Sequence, residues 1–452
     1  MRTALLRVRF SFRAFDSRFP LFMEPPYGGQ KMRATWFAFL LLLLAAEALA
    51  QSKPCTLDQW ISVAETSSPS LIAADARVEA AGHDAEGAGN WPAPVVGYGW
   101  FVRPVETRLG PQEHKLSLTQ ALPVFGRSGL RSRTAAAAAE ATRARRQATS
   151  EAIRYRLTLL WNELWLLEQS RQIAAEDLQL VGALHASALS QYRAGRVSQA
   201  AVVRIELELE RSRDALRRQE DERAPLLARI NAELGRGSFE DLSGGDRLSA
   251  SGHAPPLESL RVQLSGNAGL AAARGQSTVA QSRSELASRE RWPSLSIGGD
   301  YIFIGEAIQP GLKDSGQDAI LLRAALQLPW PTAGASDQAA RQKALQVAAR
   351  ADESALALQL AAELESVHFD YREASRRLEL LDISLIPSAD LALSVTRSSF
   401  AAGESSVGDL IEIRRTRLNL ARELVSVSAE RANSIARLEL LVSAPFHPVE
   451  ED

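Results

Sequence analysis

One cysteine, three methionines and six histidines are the only soft or imidazole ligands in 452 residues. A lone cysteine cannot pair within the chain, so no disulfide framework holds the fold. No two of the histidines, at 83, 114, 185, 253, 368 and 447, lie three or four residues apart, and Cys55 is remote from all of them. Metal-ligand spacing is therefore absent, and no metal site is expected. Also missing are a phosphate-cradling glycine loop, a nucleophile elbow and a zinc-protease signature; Gly97 and Gly99 fall inside an alternating segment instead. The formal charge of −2 carries no basic excess that would argue for nucleic acid. Neither an enzyme nor a cofactor is expected from these absences. Aromatics are scarce at 6%, but 46% hydrophobic and 23% charged residues suffice to bury a core.

The N-terminus has the layout of an export signal. Arg33 precedes an apolar run from Trp36 to Ala46, and Ala48-Leu49-Ala50 follows. A basic start, about ten apolar residues and a small-x-small exit define a secretory signal peptide. The run is too short to span a bilayer. Cleavage is expected after Ala50, so residues 1–50 are read as signal peptide. Met32-Arg33 is the better start, which makes residues 1–31 a start-site extension or else an unusually long leading region. Removing residues 1–50 takes seven basic residues from 52 and three acidic ones from 54, for a formal charge of −6, together with every methionine. Soft thioether sites for Cu(I) are then impossible. Lys53-Pro54 before Cys55 does not suit lipidation of that cysteine.

The rest of the chain repeats itself. Trp91-Pro92 recurs as Trp292-Pro293, Leu122-Pro123 as Leu328-Pro329, and Gln191-Tyr192-Arg193-Ala194-Gly195 as Ser399-Phe400-Ala401-Ala402-Gly403, at offsets of 201, 206 and 208. Offsets that drift while the order holds indicate duplication with small insertions. The first copy spans 57–236 and the second 257–443. Residues 237–256, rich in Gly, Ser and Pro, read as a linker, and 444–452 as a tail.

Each copy begins with an Ala-rich helical segment, 57–90 or 257–291, interrupted at Ser68-Pro69 or Gly266-Asn267 and ended by Trp-Pro. Two alternating segments follow. Val96, Tyr98, Trp100 and Val102 share one face, as do Leu116, Leu118 and Leu122. Leu295, Ile297, Tyr301 and Phe303, then Ile320, Leu322, Ala324, Leu326 and Leu328, repeat the pattern. Period two over about ten residues marks strands with one apolar and one polar face. Turns are expected at 103–111 and 305–316. A long helical tract comes next, with no proline between Pro123 and Pro225. Leu360, Leu364, Val367, Tyr371, Ala374, Leu378, Leu381 and Leu385 are spaced 4-3-4-3-4-3-4, a coiled-coil seam. Gly195 and Gly403 supply the only sharp punctuation and should turn the tract back on itself. Arg127 to Gly195 would make roughly 100 Å of helix, and Pro387 should kink the second tract.

The fold class is thus mainly α with a small β part: long antiparallel coiled-coil helices plus four amphipathic strands. Four strands cannot close a barrel, whereas four from each of three chains make twelve, enough for an aqueous lumen. Hairpins packed on helices in a soluble domain are the other reading of the same pattern.

The duplicated order resembles the TolC-like outer-membrane efflux factors over residues 57–443. The resemblance rests on the tips at 192–198 and 400–406, on Leu-Thr-Gln-Ala-Leu-Pro-Val-Phe-Gly at 118–126 and on Leu-Ile-Pro at 385–387; the latter two look most like the heavy-metal efflux branch. It implies a homotrimeric, passive conduit. A twelve-stranded β-barrel would sit in the outer membrane on an α-helical barrel, fed by an inner-membrane pump through periplasmic adaptor proteins, with no catalysis and no cofactor. A soluble periplasmic coiled-coil adaptor or scaffold is the alternative.

The resemblance also nominates site residues. Asp409 and Glu412, three apart on one helix face, match the acids that narrow the periplasmic entrance in the family. Threefold repetition would make carboxylate rings that favour cations, with some groups resisting ionisation. The plain alternative is a solvated helix face. The first copy has Ala201 and Arg204 at the matching positions, so a further family aspartate is missing there. Tyr192, Gly195, Phe400 and Gly403 resemble the adaptor-contacting tip motif, or else form only a helix corner with an aromatic beneath it.

Overall fold

The computed structural model describes residues 56–446, apart from 238–241, 243, 251 and 329–332. The signal segment 1–50, Cys55, Pro329 and the tail beyond 446 lie outside the described residues.

Helix α1 (Leu57–Ser67) starts at a reciprocal cap: Gln59 N–H donates to the Thr56 hydroxyl, and Thr56 N–H donates to the Gln59 side chain. Pro69 opens α2 (Pro69–Gly87), where its fixed φ suits the first turn. Strands β1 (Val95–Thr107) and β2 (Gly110–Leu122) follow, and then α3 (Arg127–Arg193), 67 residues or about 100 Å long. Helix α4 (Gln199–Glu233) returns along it. The second half has α5 (Leu257–Gln263), a short 3-10 turn, α6 (Ala268–Glu290), β3 (Ser294–Ile304), β4 (Ala319–Gln327) and α7 (Ala333–Leu380). A π-helical turn at Leu381–Leu385 leads into α8 (Ile386–Ala402), and α9 (Val407–Val442) returns. The expected kink at Pro387 thus takes the form of a widened turn, which accommodates the missing N–H next to it.

The strands form one antiparallel sheet in the order β1-β2-β3-β4. The segment 103–111, expected to be a turn, is almost all strand; only Arg108 and Leu109 turn. Pro104 lies where the β1–β2 register shifts, between Trp100 and Val105. At a bulge on an edge strand, its missing N–H removes no ladder bond. Register places Val96, Tyr98 and Trp100 beside Leu118, Leu116 and His114, which in turn face Gly299, Tyr301 and Phe303. Ile320 and Leu322 complete this apolar face. The opposite face carries Lys115, Ser117, Thr119, Asp300 and Arg323. The Asp300 carboxylate is buried between Lys115 at 2.8 Å and Arg323 at 3.4 Å.

The helices beneath the sheet keep its order. Helix α2 packs on α3, α3 on α6, and α6 on α7. Each of these four is continuous in sequence with the strand of the same rank. Farther along, α3 and α7 pack with α4 and α9. Two apolar cores fill the middle, one around Trp60, Leu157, Leu164 and Ile230, the other around Leu260, Leu364, Tyr371 and Leu438. Trp60 and Trp161 meet edge to face at 4.9 Å in the first.

Residues 237–256 do more than link. Leu242 is buried, the Trp161 indole N–H donates to the Arg247 carbonyl at 2.8 Å, and Ser249 N–H donates to Asn162 Oδ1 at 3.0 Å. Gly244 has φ 148°, and a Cβ there would lie 2.5 Å from the Trp161 ring. The glycine is needed for close approach to an indole. Leu242, Gly244, Arg247 and Ser249 thus pack on or bond to the first half of the chain.

Candidate pore mouth and helical tips

Both hairpin tips are built by the same local rule. Gly195, with φ 73°, and Gly403, with φ 84°, take left-handed backbone. Gly195 N–H donates to the Tyr192 carbonyl and Arg196 N–H to the Gln191 carbonyl, both at 2.9 Å. Gly403 N–H reaches the Phe400 carbonyl at 3.1 Å, and Glu404 N–H the Ser399 carbonyl at 2.8 Å. This paired pattern satisfies carbonyls that a helix end leaves open. The returning helices start at Ser198 and Ser406, whose hydroxyls accept from Ala201 N–H and Asp409 N–H.

The two tip aromatics do different things. Phe400 is 3% exposed, packed among Val181, Leu184, Val202, Ile205, Val407 and Leu410, so it joins the two hairpins from beneath. Tyr192 is 42% exposed. Gly195 and Gly403 are exposed too, as are Arg193, Arg196 and Glu404 beside them.

Asp409 and Glu412 lie on the exposed face of α9, as their spacing predicts. Asp409 has an additional task. Its carboxylate accepts from Ser406 N–H at 3.0 Å and from the Ser406 hydroxyl at 2.8 Å, completing a capping box. Those hydrogen bonds, the hydroxyl first, hold its carboxyl below the usual aspartate value. Within one chain the shift is therefore opposite to the one expected from a ring of like charges.

The sequence reading missed a buried charge cluster above the tips. Arg414 on α9 is 4% exposed; it donates to Glu208 of α4 at 2.9 Å and pairs with Asp177 of α3 at 3.2 Å. Arg415 and Arg211 also reach Glu208, at 2.6 and 2.8 Å, and the Ser212 hydroxyl donates to Asp177 at 2.7 Å. Burial pushes the Glu208 carboxyl up, but hydrogen bonds from Arg415 and Arg211 and the charges of Arg415 and Arg414 outweigh it and hold the group low. The signal was present in the sequence. Arg414 occupies a seam position in Val407, Leu410, Arg414, Leu418, as Asp177 does in Ala174, Asp177, Val181. A charge at such a position needs a partner and fixes the register of the helices around it. Among the described residues, no group of three His, Cys, Asp or Glu side chains gathers as metal ligands.

The fold is shared with outer-membrane channels. The outer membrane protein VceC of Vibrio cholerae aligns at a TM-score of 0.73 and 18% identity, covering 86% of this chain and 97% of that one. The outer-membrane channel OprN aligns at 0.73 and 19%, covering 86% and 90%. The CmeC outer membrane channel of Campylobacter jejuni aligns at 0.69 and 14%, covering 88% and 87%. No protein-family model and no curated protein sequence matches the chain. The fold of the single chain is thus shared with these solved outer-membrane channels.

Proposed function

We propose that the chain is the outer-membrane channel of a tripartite efflux system. It would be a homotrimer whose three sheets close a twelve-stranded barrel in the outer membrane, above a helical barrel in the periplasm. Substrate enters from an inner-membrane pump through a periplasmic adaptor, and the duct itself performs no catalytic step. The observation that carries this reading is the open edge. Strands β1 and β4 sit at the two ends of the sheet, and the helices continuous with them, α2 and α7, sit at the two ends of the helical layer in the same order. With the β1 edge of one copy against the β4 edge of the next, head-to-tail repetition would close the chains into a ring. Lipid is the fitting solvent for the sheet's apolar face, where Val96, Tyr98 and Trp100 are 68%, 68% and 67% exposed and Leu322 is 83% exposed. A soluble scaffold would have to cover that face.

The two-copy reading of 57–236 and 257–443 has support in the cores. Trp60 and Leu260, Leu157 and Leu364, and Ile230 and Leu438 play matching parts at separations of 200, 207 and 208 residues. In the assembled duct Asp409 and Glu412 would ring the periplasmic mouth. Tyr192, Gly195 and Gly403 would meet the adaptor, with Phe400 supporting the corner. The test is fractionation of cells followed by crosslinking of the detergent-extracted protein. Recovery in the outer membrane with crosslinks ending at three chains is expected; a soluble protein, or a native monomer in detergent, would overturn the reading.

A further inference from the structure

The helix-facing end of the sheet carries a cluster that the conduit reading leaves unused. Trp91, Phe125 and Trp292 are 63%, 46% and 45% exposed. The rings of Phe125 and Trp292 meet at 5.3 Å, and the Arg289 guanidinium lies 5.2 Å over Trp292. Arg127 donates to the carbonyls of Arg289, at 3.3 Å, and of Trp292. Phe125 reaches this place through left-handed backbone, φ 61°. A bulky side chain adopts that conformation at a cost, and here it serves to hold an aromatic ring against water.

Charge gathers at the same level. Residues 123–134 and 283–292 together hold six arginines against two glutamates. One of those glutamates, Glu285, faces Arg133 at 3.7 Å. Arg131, Arg289 and Arg291 are exposed. The far end of the strands has no such excess: residues 103–114 carry Arg103 and Arg108 against Glu106 and Glu113, and residues 304–318 carry Lys313 against Glu306, Asp314 and Asp318. The belt adjoins the ends of β2 and β3, at Leu122 and Ser294, so it sits at the level where the sheet gives way to the helices.

We propose that this aromatic and basic belt binds the headgroups of anionic phospholipids in the leaflet on the helix side of the sheet. Guanidinium groups match phosphate oxygens in charge and in donor geometry, and exposed indole and phenyl rings favour the headgroup level of a bilayer. The proposal rests on the reading of the sheet as membrane-spanning, and it adds a lipid class and the residues that select it.

The experiment compares vesicles of phosphatidylcholine alone with vesicles that also contain phosphatidylglycerol. Flotation with phosphatidylcholine vesicles tests the spanning reading itself; a protein that stays out of both kinds overturns that reading and this proposal together. Once inserted, the protein is extracted and its retained lipids are weighed by native mass spectrometry. Basic residues near an anionic surface act at about fivefold each, so phosphatidylglycerol should be retained at least fivefold over phosphatidylcholine. The preference should shrink in high salt. Arg131→Gln, Arg289→Gln and Arg291→Gln together should remove it while insertion into phosphatidylcholine is unchanged. Equal retention of the two lipids by the wild type, or full preference in the triple variant, would overturn the proposal. So would displacement of the lipid by an equal concentration of free glycerol phosphate. If the triple variant does not insert, the wild-type salt series decides, and a preference indifferent to salt would overturn it.

Discussion

Asp409, which we propose for the mouth of the duct, also holds the start of its own helix. Asp409 completes the cap with Ser406, whereas Glu412, one turn on, has no such duty. The two should therefore separate on substitution. In planar bilayers, Glu412→Gln is expected to reduce cation selectivity and divalent block with no change in thermal stability. Asp409→Asn should do the same and also loosen the first turn of α9, read as faster amide exchange at 407–410. If neither variant alters selectivity, the pair is only a solvated face. The buried cluster above them makes a second prediction. Because the Glu208 carboxyl is held below its ordinary value, its contribution is fully present above the usual glutamate range and is lost as pH falls through the lowered value. Unfolding temperature measured against pH should fall there, and Glu208→Gln should flatten that fall. Arg414→Met, which removes the arginine paired with the buried Asp177 carboxylate, should cost about 3 kcal/mol or more at neutral pH. Seam spacing alone could have located Arg414 and Asp177; that Glu208 of a third helix joins them depends on packing that no local pattern reports.

Among the elements, strands and tips were legible because their determinants are local. Period-two alternation fixes which strand face is apolar, and a glycine after an aromatic fixes a left-handed corner. The packing of 237–256 was not legible, because glycine writes the same signal for a loose linker as for a close approach to Trp161. The strand pairing through Pro104 was hidden for a related reason: proline reads as a turn unless its place on an edge is known. The tips supply the prediction at this scale. Tyr192→Ala should weaken adaptor binding in a pull-down or by calorimetry and leave stability unchanged. Phe400→Ala should instead destabilise the fold by about 3 kcal/mol or more, through the cavity it opens between the two hairpins. Gly403→Ala should cost about 1 kcal/mol, since the added Cβ is strained at φ 84° although nothing lies within 4 Å of it. Equal effects of Tyr192→Ala and Phe400→Ala on stability would contradict the division of labour between the two aromatics.

At the scale of the whole molecule, α7 carries an uncovered apolar row. Val347, Leu358, Phe369 and Leu380 recur every 11 residues and are 60%, 73%, 66% and 44% exposed. An 11-residue period gives about 3.67 residues per turn, so the row runs nearly straight along the helix. Helix α7 follows β4, whose outer edge has no partner strand among the described residues. Phe369→Glu is therefore expected to weaken the proposed trimer in detergent, read by mass photometry or crosslinking, while the helical content of the dissociated chain stays constant. On the sheet, Leu322→Arg should cost about 2–4 kcal/mol if that position lies near the bilayer midplane, and should slow insertion into vesicles.

The free edges of β1 and β4 have a consequence for the single chain before the proposed assembly. The apolar cores of the helical body are each built from one chain's own residues. The sheet offers unpaired N–H and C=O groups on both sides until neighbours arrive, and any other exposed strand can satisfy them. Correct partnering thus competes with clumping, and the outcome depends on how many copies meet and how soon. The midpoint of its unfolding should therefore shift with dilution, as for any structure completed only by its neighbours. A chain held in this half-made form would favour low local concentration or a holding factor that covers strand edges.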